Sequence, residues 1–257
     1  MGDSLAEKNF EAHDILAAFG VLSRLPLTID HARAGARAAR ATWAYPVVGA
    51  GLGAVAALAA KLALFLGVPA GISAAIALGA LVLMSGAMHE DGIADCADGL
   101  GGGNSKSHRL EIMKDSRIGA YGATVLGIVL IARWSGIQGL AEADKLFWPL
   151  IAIGAASRLP MVLVMFFMPS AREDGLSAGV GMPPPTSVAG AIAATVLLSM
   201  LAMGWGGAMV IFWGVIAPIP LLLLAKSLIG GQTGDILGAT QQLAEIACIS
   251  VTVALIT

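Results

Sequence analysis

The chain of 257 residues carries little charge and little cysteine. Only 12% of its residues are charged and 57% are hydrophobic, against about 25% and about 45–50% in an ordinary soluble domain. Such a composition excludes water as the solvent for most of the surface and favours a lipid bilayer. The two cysteines, Cys96 and Cys248, exclude a disulfide framework and suit a reducing compartment. We expect no cleavable signal peptide, because charged residues interrupt the first twenty positions.

Long apolar segments recur along nearly the whole chain and leave no room for a separate soluble domain. Each is long enough, at about 1.5 Å per helical residue, to cross a hydrocarbon core of about 30 Å. The seven segments are 43–66, 69–88, 119–140, 147–168, 187–205, 207–225 and 236–256. The sequence therefore predicts one all-α, polytopic membrane domain over residues 1–257, a helical bundle of about seven transmembrane helices (six to eight). Short hairpins are predicted at residues 67–69 and 205–207.

The positions of lysine and arginine predict the orientation in the membrane. Four arginines precede the first apolar segment, and four cations separate the second segment from the third. The positive-inside rule puts both regions in the cytoplasm. Residues 1–40 are then a cytoplasmic or interfacial segment that begins with an amphipathic surface helix. We expect the cytoplasmic (inner) membrane as the location, with a functional segment at 89–118 facing the cytoplasm.

The strongest chemical signal is the run HEDGIADCADG at residues 89–99. Asp91, Asp95 and Asp98 are spaced i, i+4, i+7, so a helix that continues the second span stacks them on one face. Like charges at that spacing repel unless a cation lies between them, and oxygen ligands suit Mg²⁺, or Mn²⁺ in its place. A solvated helix end is the alternative. Glu90 points away from the Asp face.

A polar segment, RLEIMKDSRIGAYG, occupies residues 109–122 and runs into the third apolar segment. Its cations suit an anionic phosphate, since arginine grips phosphate through paired hydrogen bonds and lysine acts as a point charge. These cations are Arg109, Lys114 and Arg117. The alternative is a purely topogenic role, which accounts for neither Asp115 nor the glycines that follow. By position alone, Asp98 and Asp115 are candidates to accept a hydroxyl proton.

Further polar residues lie near the later apolar segments. Arg158 lies within the fourth segment, where a buried arginine needs an anionic partner from the protein or from a ligand. Arg172 and Asp174 follow that segment, on the side predicted to be cytoplasmic. The last segment opens near Thr233 and Asp235. Either residue could be a plain helix N-cap, or the glycine-rich start of this helix could be an anion site.

Three blocks of the sequence together resemble the signature blocks of one enzyme family. They are residues 89–103, 109–122 and 230–245, with weaker similarity at 23–26, 43–49 and 157–175. In this order they resemble cobalamin synthase, the adenosylcobinamide-GDP ribazoletransferase family. The resemblance implies a membrane-embedded, Mg²⁺-dependent transferase of substituted phosphate groups. Its substrates would be adenosylcobinamide-GDP and α-ribazole or α-ribazole 5′-phosphate, and its products adenosylcobalamin or its 5′-phosphate and GMP.

The resemblance also implies roles for the candidate residues. The metal ligands would be Asp91, Asp95 and Asp98. The catalytic residues would be Asp98, Asp115 and Arg117. The residues that bind phosphate or substrate would be Arg109, Lys114, Arg158, Arg172, Asp174, Thr233 and Asp235. The Asp pattern is also similar in part to that of CDP-alcohol phosphotransferases, which carry out an analogous displacement.

Two other classes of function compete with an enzyme. An ion-coupled membrane transporter would use the Asp cluster as a cation relay, and it predicts carboxylates near the bilayer midplane. The aspartates are expected at one face instead, which favours an enzyme at the interface. A purely structural membrane subunit leaves the Asp motif unexplained. No nucleic-acid partner is expected, and a homo-oligomer is an open alternative.

Overall fold

Helices make up the regular structure of the described chain. The structure is a computed structural model and describes residues 9–256. Within that range it contains no β-strand, only α-helices and one 3₁₀ turn at Thr42–Ala44. The helices are α1 (Ala12–Leu22), α2 (His31–Ala36), α3 (Ala38–Ala41), α4 (Tyr45–Phe65), α5 (Ala70–Ser85), α6 (Met88–Gly102), α7 (Lys106–Ile112), α8 (Ala120–Glu142), α9 (Phe147–Phe167), α10 (Leu176–Val180), α11 (Pro185–Met203), α12 (Trp205–Ile216), α13 (Ile219–Ile229) and α14 (Gly234–Ile256).

Six stretches of the described chain are long and apolar enough to cross a membrane. They are Ala38–Phe65, Ala120–Glu142, Phe147–Phe167, Pro185–Met203, Trp205–Ile229 and Gly234–Ile256. The pair α5 and α6 makes a seventh if it is counted as one bent span. The predicted all-α, multi-pass membrane bundle is therefore confirmed.

The second predicted span differs most from the sequence prediction. Residues 69–88 do not form one straight helix, because α5 ends at Ser85 and α6 sets off at 85° to it. Gly86 (φ 66°) and Ala87 (φ 57°) both adopt left-handed backbone conformations at the bend. A Cβ on Gly86 would collide with the side chain of Arg24, so glycine satisfies both the conformation and the packing there. The Asp motif is helical, but α6 is a separate helix and does not continue the span.

The two predicted hairpins also occur, one of them slightly displaced. Gly67 (φ 84°) turns the chain between α4 and α5, as expected. The second turn is made by Gly204 (φ 55°), and α12 already begins at Trp205. The sixth predicted span is interrupted near Pro218, where the ring cannot supply a helical N–H.

Glycines allow the central helices to approach each other at backbone distance. A Cβ on Gly49 of α4 would collide with the carbonyl of Gly154 in α9, and one on Gly53 with the carbonyl of Leu150. This is the small-residue spacing of close helix pairs in membranes. The apolar window of α9 is 78% buried and that of α8 only 22%. Thus α9 lies at the centre of the bundle, and α8 leaves most of its apolar surface to the surroundings.

The helix α1 docks on the bundle through a buried acid. Asp14 is fully buried and accepts hydrogen bonds from Arg37 Nε at 2.7 Å and Trp43 Nε1 at 3.0 Å. Burial by itself raises the pKa of Asp14, but hydrogen bonds from Arg37, Trp43 and the Glu11 N–H hold that pKa below its ordinary value. Asp14 therefore belongs to the packed face of α1, not to a solvated polar face.

The predicted amphipathic helix over the first twenty residues is described only in part. Glu7 and Lys8, which supported that prediction, lie outside the described residues. From Ala12 onward the chain is helical, with a buried face that includes Ala18 and Leu22. The position of α1 on a membrane surface stays a prediction.

Candidate active site

Three aspartates project from successive turns of α6. Asp91 is exposed, Asp95 is partly buried and Asp98 is buried. The charges that act most strongly on Asp95 are those of Asp91, Asp235 and Asp98, and Arg172 opposes them. We call these four acids the carboxylate cluster. Four carboxyl groups faced by one guanidinium favour the approach of a further cation.

Asp98 binds the first turn of α8. Its Oδ2 accepts a hydrogen bond from the N–H of Gly119 at 2.7 Å, and its Oδ1 accepts one from Gly122 at 2.9 Å. These N–H groups have no partner within α8, and the positive end of a helix dipole stabilises a carboxylate there. A Cβ on either glycine would collide with the Asp98 carboxylate. This contact accounts for the two glycines of the GAYG segment; the roles of Asp98 in metal binding and proton transfer stay predictions.

The backbones of α6 and α14 pack tightly beside the cluster. A Cβ on Gly92 would lie 2.9 Å from the Asp235 carbonyl oxygen and 3.2 Å from Gly238 Cα. Both distances are shorter than a normal carbon contact, so the packing requires glycine at position 92. The close approach brings Asp235, from near the end of the chain, to the aspartates of α6. The sequence predicted both groups of residues but did not reveal that they meet.

Thr233 and Arg172 hold the Asp235 carboxylate. Thr233 Oγ1 accepts a hydrogen bond from the N–H of Ile236 at 3.3 Å and donates one to Asp235 Oδ2 at 3.1 Å. Thr233 therefore acts as the N-cap, one of the two predicted alternatives. Arg172 Nη2 donates to the same Oδ2 at 3.3 Å. Arg172 thus lies beside the carboxylate cluster and is the predicted cation nearest to it.

Two other predicted cations have protein partners. Arg109 Nη1 donates to the carbonyl of Leu100, at the C-terminal end of α6. Lys114 Nζ donates to Asp174 Oδ2 at 2.6 Å, and both side chains are exposed. Arg109 thereby caps α6, whereas Lys114 and Asp174 link the segment after α7 to the segment after α9. Their roles toward a phosphate stay predictions.

Arg117 and Asp115 form an exposed, two-point ion pair. Arg117 Nε lies 3.0 Å from Asp115 Oδ1, and Nη2 lies 2.6 Å from Oδ2. The hydrogen bonds from Arg117 lower the pKa of Asp115 to about 2. A carboxylate with so low a pKa is a weak base at neutral pH. The predicted role of Asp115 as proton acceptor therefore requires Arg117 to move away first.

Arg158 lies away from the carboxylate cluster. It is 3% exposed and sits midway along α9, where its Nη1 approaches Glu245 Oε2 at 3.3 Å. The expectation that a buried arginine has an anionic partner is confirmed, and the partner is a protein side chain. Arg158 lies within the fourth apolar segment, as the sequence predicted, and its predicted role in binding phosphate or substrate stays a prediction.

A comparison with known proteins identifies the chain. The family model described as cobalamin-5-phosphate synthase matches residues 14–253. The chain belongs to this family. A protein of Bradyrhizobium diazoefficiens named adenosylcobinamide-GDP ribazoletransferase is 43% identical, and the match covers 94% of this chain and 93% of the relative. A protein of the same name from Mesorhizobium japonicum is 42% identical over 93% of this chain and 92% of its own. No solved structure matches.

Membership of the cobalamin-5-phosphate synthase family confirms the predicted class. The chain is an enzyme, a transferase of cobalamin synthesis. The rival transporter hypothesis expected carboxylates deep in the bundle, and two do occur there, Glu90 and Glu245. Each is ion-paired with arginine, at Arg133 or Arg158, so neither is an unpaired carboxylate of the kind a cation relay needs.

Arg133, which lies near the site, is not among the residues that the sequence predicted. Arg133 is 2% exposed and donates to Glu90 Oε1 at 2.5 Å. A single arginine in the apolar segment 119–140 was the available signal, because a charge in such a segment requires a partner. The expectation that Glu90 points away from the aspartate face is consistent with this contact.

A divalent cation at the carboxylate cluster would need further ligands besides the protein side chains. Within residues 9–256, no three His, Cys, Asp or Glu side chains lie close enough to hold a metal ion by themselves. Mg²⁺ commonly uses one or two carboxylates and completes its shell with phosphate oxygens and water. Asp91 and Asp95 would suit that need, since they lie a turn apart and neither carboxylate makes a hydrogen bond or ion pair among residues 9–256. A diphosphate would supply the remaining oxygens.

Proposed function

We propose that this enzyme joins adenosylcobinamide-GDP to α-ribazole, or to α-ribazole 5′-phosphate, in a Mg²⁺-dependent reaction. A ribose hydroxyl oxygen of the acceptor, one that is free in both α-ribazole and its 5′-phosphate, attacks the phosphorus that carries cobinamide. The bond from that phosphorus to the GMP oxygen breaks, and the hydroxyl proton is lost. The products are GMP and adenosylcobalamin or its 5′-phosphate. The names of the relatives support this choice of substrates.

One observation carries the proposal: among the described residues, the side chains of Asp91 and Asp95 are the two in the carboxylate cluster that make no hydrogen bond. Asp98 is held by α8, and Asp235 by Thr233 and Arg172. Phosphoryl transfer needs alignment and neutralisation of charge more than covalent help from the protein. Two unengaged carboxylates beside an arginine suit the binding of a metal–diphosphate complex.

The chain's own residues then have distinct tasks. Asp91 and Asp95 would hold the cation, which supplies positive charge to the diphosphate oxygens when it is bound. Arg172 lies next to the cluster and would bind a phosphate oxygen, since only one of its nitrogens hydrogen-bonds Asp235. Lys114 and Arg117 lie on exposed ion pairs, which cost little to exchange for a phosphate contact. The proton acceptor stays a prediction, with Asp98 and Asp115 as its candidates.

The site is expected to face the cytoplasm. The charged segment 103–119 that flanks α6 carries four cations, and the positive-inside rule assigns such a segment to the cytoplasmic side. A nucleotide ester made in the cytoplasm would reach the carboxylate cluster without crossing the membrane. The cytoplasmic membrane is accordingly the proposed location.

The test is reconstitution of the purified chain in lipid vesicles with adenosylcobinamide-GDP, Mg²⁺ and, in parallel reactions, α-ribazole or its 5′-phosphate. GMP and the cobalamin product are quantified together. We expect one GMP per cobalamin and loss of both products when Mg²⁺ is chelated. A well-folded, lipid-embedded protein that forms no cobalamin product from either acceptor would contradict the proposal. The rates with the two acceptors decide between them.

A matched pair of substitutions distinguishes loss of the active site from an inactive protein preparation. Asp91→Asn removes a carboxylate of the cluster, whereas Asp144→Asn removes one that is 89% exposed in the loop between α8 and α9. Asp144 has a positive φ of 52°, a conformation that asparagine tolerates well. We expect Asp144→Asn to keep the wild-type rate and Asp91→Asn to lose it.

A further inference from the structure

A set of buried charged and amide side chains lies where α6 packs against the bundle. We call it the buried ion network, and its members are Glu90, Arg133, Arg158, Gln242 and Glu245. Arg133 Nη1 lies 2.5 Å from Glu90 Oε1, and Arg133 Nη2 lies 2.8 Å from Glu245 Oε1. Arg158 closes the set at 3.3 Å from Glu245 Oε2. Two positive and two negative charges balance, so the network is neutral as a whole.

The network connects four helices. Glu90 belongs to α6, Arg133 to α8, Arg158 to α9 and Glu245 to α14. Gln242 joins the same pair from α14, since its Nε2 donates to Glu90 Oε1 at 3.1 Å and its Oε1 accepts from Arg133 at 3.0 Å. Glu90 is thus the one member through which α6 is attached to the other three helices.

Stability alone is a poor reason for such a network. Ion pairs lose much of their attraction to the cost of removing both charges from water, and apolar residues of similar size often replace them without loss. A salt bridge fixes the direction of the interacting side chains, whereas apolar packing does not. Arg133 presents fixed N–H groups, so the carboxylate of Glu90 has one favoured position.

A directional contact can set the rotation of α6 together with the close packing of Gly92 against α14. Gly86 and Ala87 break the helical hydrogen bonding between α5 and α6, so the orientation of α5 does not set that of α6. A helix turns 100° from one residue to the next, and Glu90 immediately precedes Asp91. The position of the Glu90 side chain therefore determines which way Asp91 and, one turn later, Asp95 point.

We infer that Glu90 and Arg133 are positioning residues for the transfer reaction. Their salt bridge sets the rotation of α6 and thereby the place of Asp91 and Asp95 at the carboxylate cluster. Asp98 holds the other end of α6 through the N–H groups of Gly119 and Gly122. The metal-binding pair thus lies between two anchors. This inference rests on the proposed function for its catalytic consequence, but the rotation of α6 can be measured without it.

The chain contains a native reporter of that rotation. Cys96 lies on α6 and is 2% exposed, and Cys248 lies on α14 and is fully buried. If α6 rotates, Cys96 becomes accessible to a maleimide while Cys248 stays protected. General loosening of the bundle exposes both. Alkylation followed by peptide mass spectrometry reports the two cysteines separately.

The principal variant is Glu90→Met combined with Arg133→Met, which removes one charge of each sign and leaves Arg158 paired with Glu245. We expect the variant to fold, with alkylation of Cys96 at least about tenfold faster and that of Cys248 unchanged. Transfer falls at least about tenfold, and half-maximal activity needs more Mg²⁺. The control is Asp14→Asn, an acid paired with a buried arginine outside α6, which should leave Cys96 protected.

A well-folded double variant with protected Cys96 and a wild-type Mg²⁺ requirement would overturn the inference. If the double variant loses its fold, both cysteines react. The single variant Glu90→Gln then tests the inference, because it keeps the shape of the side chain. Selective alkylation of Cys96 in Glu90→Gln supports the inference, and wild-type protection overturns it. Failure of the proposed function would appear differently, as a wild-type chain inactive toward both acceptors whose Cys96 labelling still follows Glu90.

Discussion

The carboxylate of Asp98 occupies the space that a side chain on Gly122 would need. Its Oδ1 accepts the Gly122 N–H at 2.9 Å, in the first turn of α8. One contact therefore joins the helix that carries the aspartates to the start of a membrane span. It also explains why Gly122 lacks a side chain, since α8 and α6 meet there at backbone distance.

We predict that Gly122→Ala destabilises the protein by about 1–3 kcal/mol, because the added methyl forces Asp98 and α6 to move. Thermal unfolding in detergent measures the change, and transfer activity should fall with it. Gly127→Ala is the matched control on the same helix, since a Cβ there meets nothing within 4 Å. Equal melting temperatures for Gly122→Ala and Gly127→Ala would contradict the account of this contact.

We predict that Asp91→Asn and Asp95→Asn each lower transfer by at least about 10²-fold, because each removes negative charge that binds the cation on the diphosphate. Asp98→Asn should lower it as far and should also lower the melting temperature, since Asp98 holds α8. Rates measured over a Mg²⁺ titration check this. Near-normal rates in all three variants would mean that these acids bind no catalytic metal.

Arg117→Lys tests whether that arginine grips a phosphate. The substitution keeps the positive charge and so keeps the insertion signal. Lysine cannot reproduce a two-point contact, so we expect kcat/KM to fall about tenfold, or about 1.4 kcal/mol of transition-state binding. Because Arg117 is 86% exposed, its pair with Asp115 contributes little to folding and the melting temperature should not change. Unchanged kinetics would leave Arg117 a topogenic role alone.

The sidedness of the site is testable with single cysteines. A cysteine at Ser107, in α7, should react with an impermeant maleimide only from the cytoplasmic side, and one at Ala143 only from the opposite side. The native thiols are buried and contribute little background. Labelling of both positions from the same side would require a different number of spans between them.

The attachment of α1 should depend on pH. Hydrogen bonds to the buried Asp14 hold its pKa below the ordinary value of 3.8. A depressed pKa stabilises the folded state above the unfolded pKa, and this stabilisation is lost as the pH falls through the lower, folded value. We therefore expect hydrogen exchange in α1 to rise below about pH 3.8 in the wild type. In Asp14→Asn it should be fast at neutral pH as well; pH-independent protection in the wild type would argue against this role.

Much of the fold could be predicted from sequence because its determinants are local. The lengths of apolar runs located most spans, and Gly67 marked a turn that the structure contains at the same place. The prediction of a straight second span was wrong, since Gly86 and Ala87 adopt left-handed backbone conformations that bend the chain, and Gly86 packs against Arg24, which is distant in the sequence. The aspartates of α6 were recognisable by their spacing, whereas the contacts of Asp98 with Gly119 and Gly122 were not.

By itself, the sequence determined the membrane bundle, the helical spacing of Asp91, Asp95 and Asp98, and the family. Hydrophobicity and helical periodicity act between residues close in the chain, and both can be read from its order. Only the tertiary structure decided that Asp98 binds α8 and that Arg133 joins Glu90 to Glu245. Arg133 and Glu245 are 112 residues apart in sequence. Such pairs form because a charge buried among packed helices must find its counterion there, wherever in the chain that counterion lies.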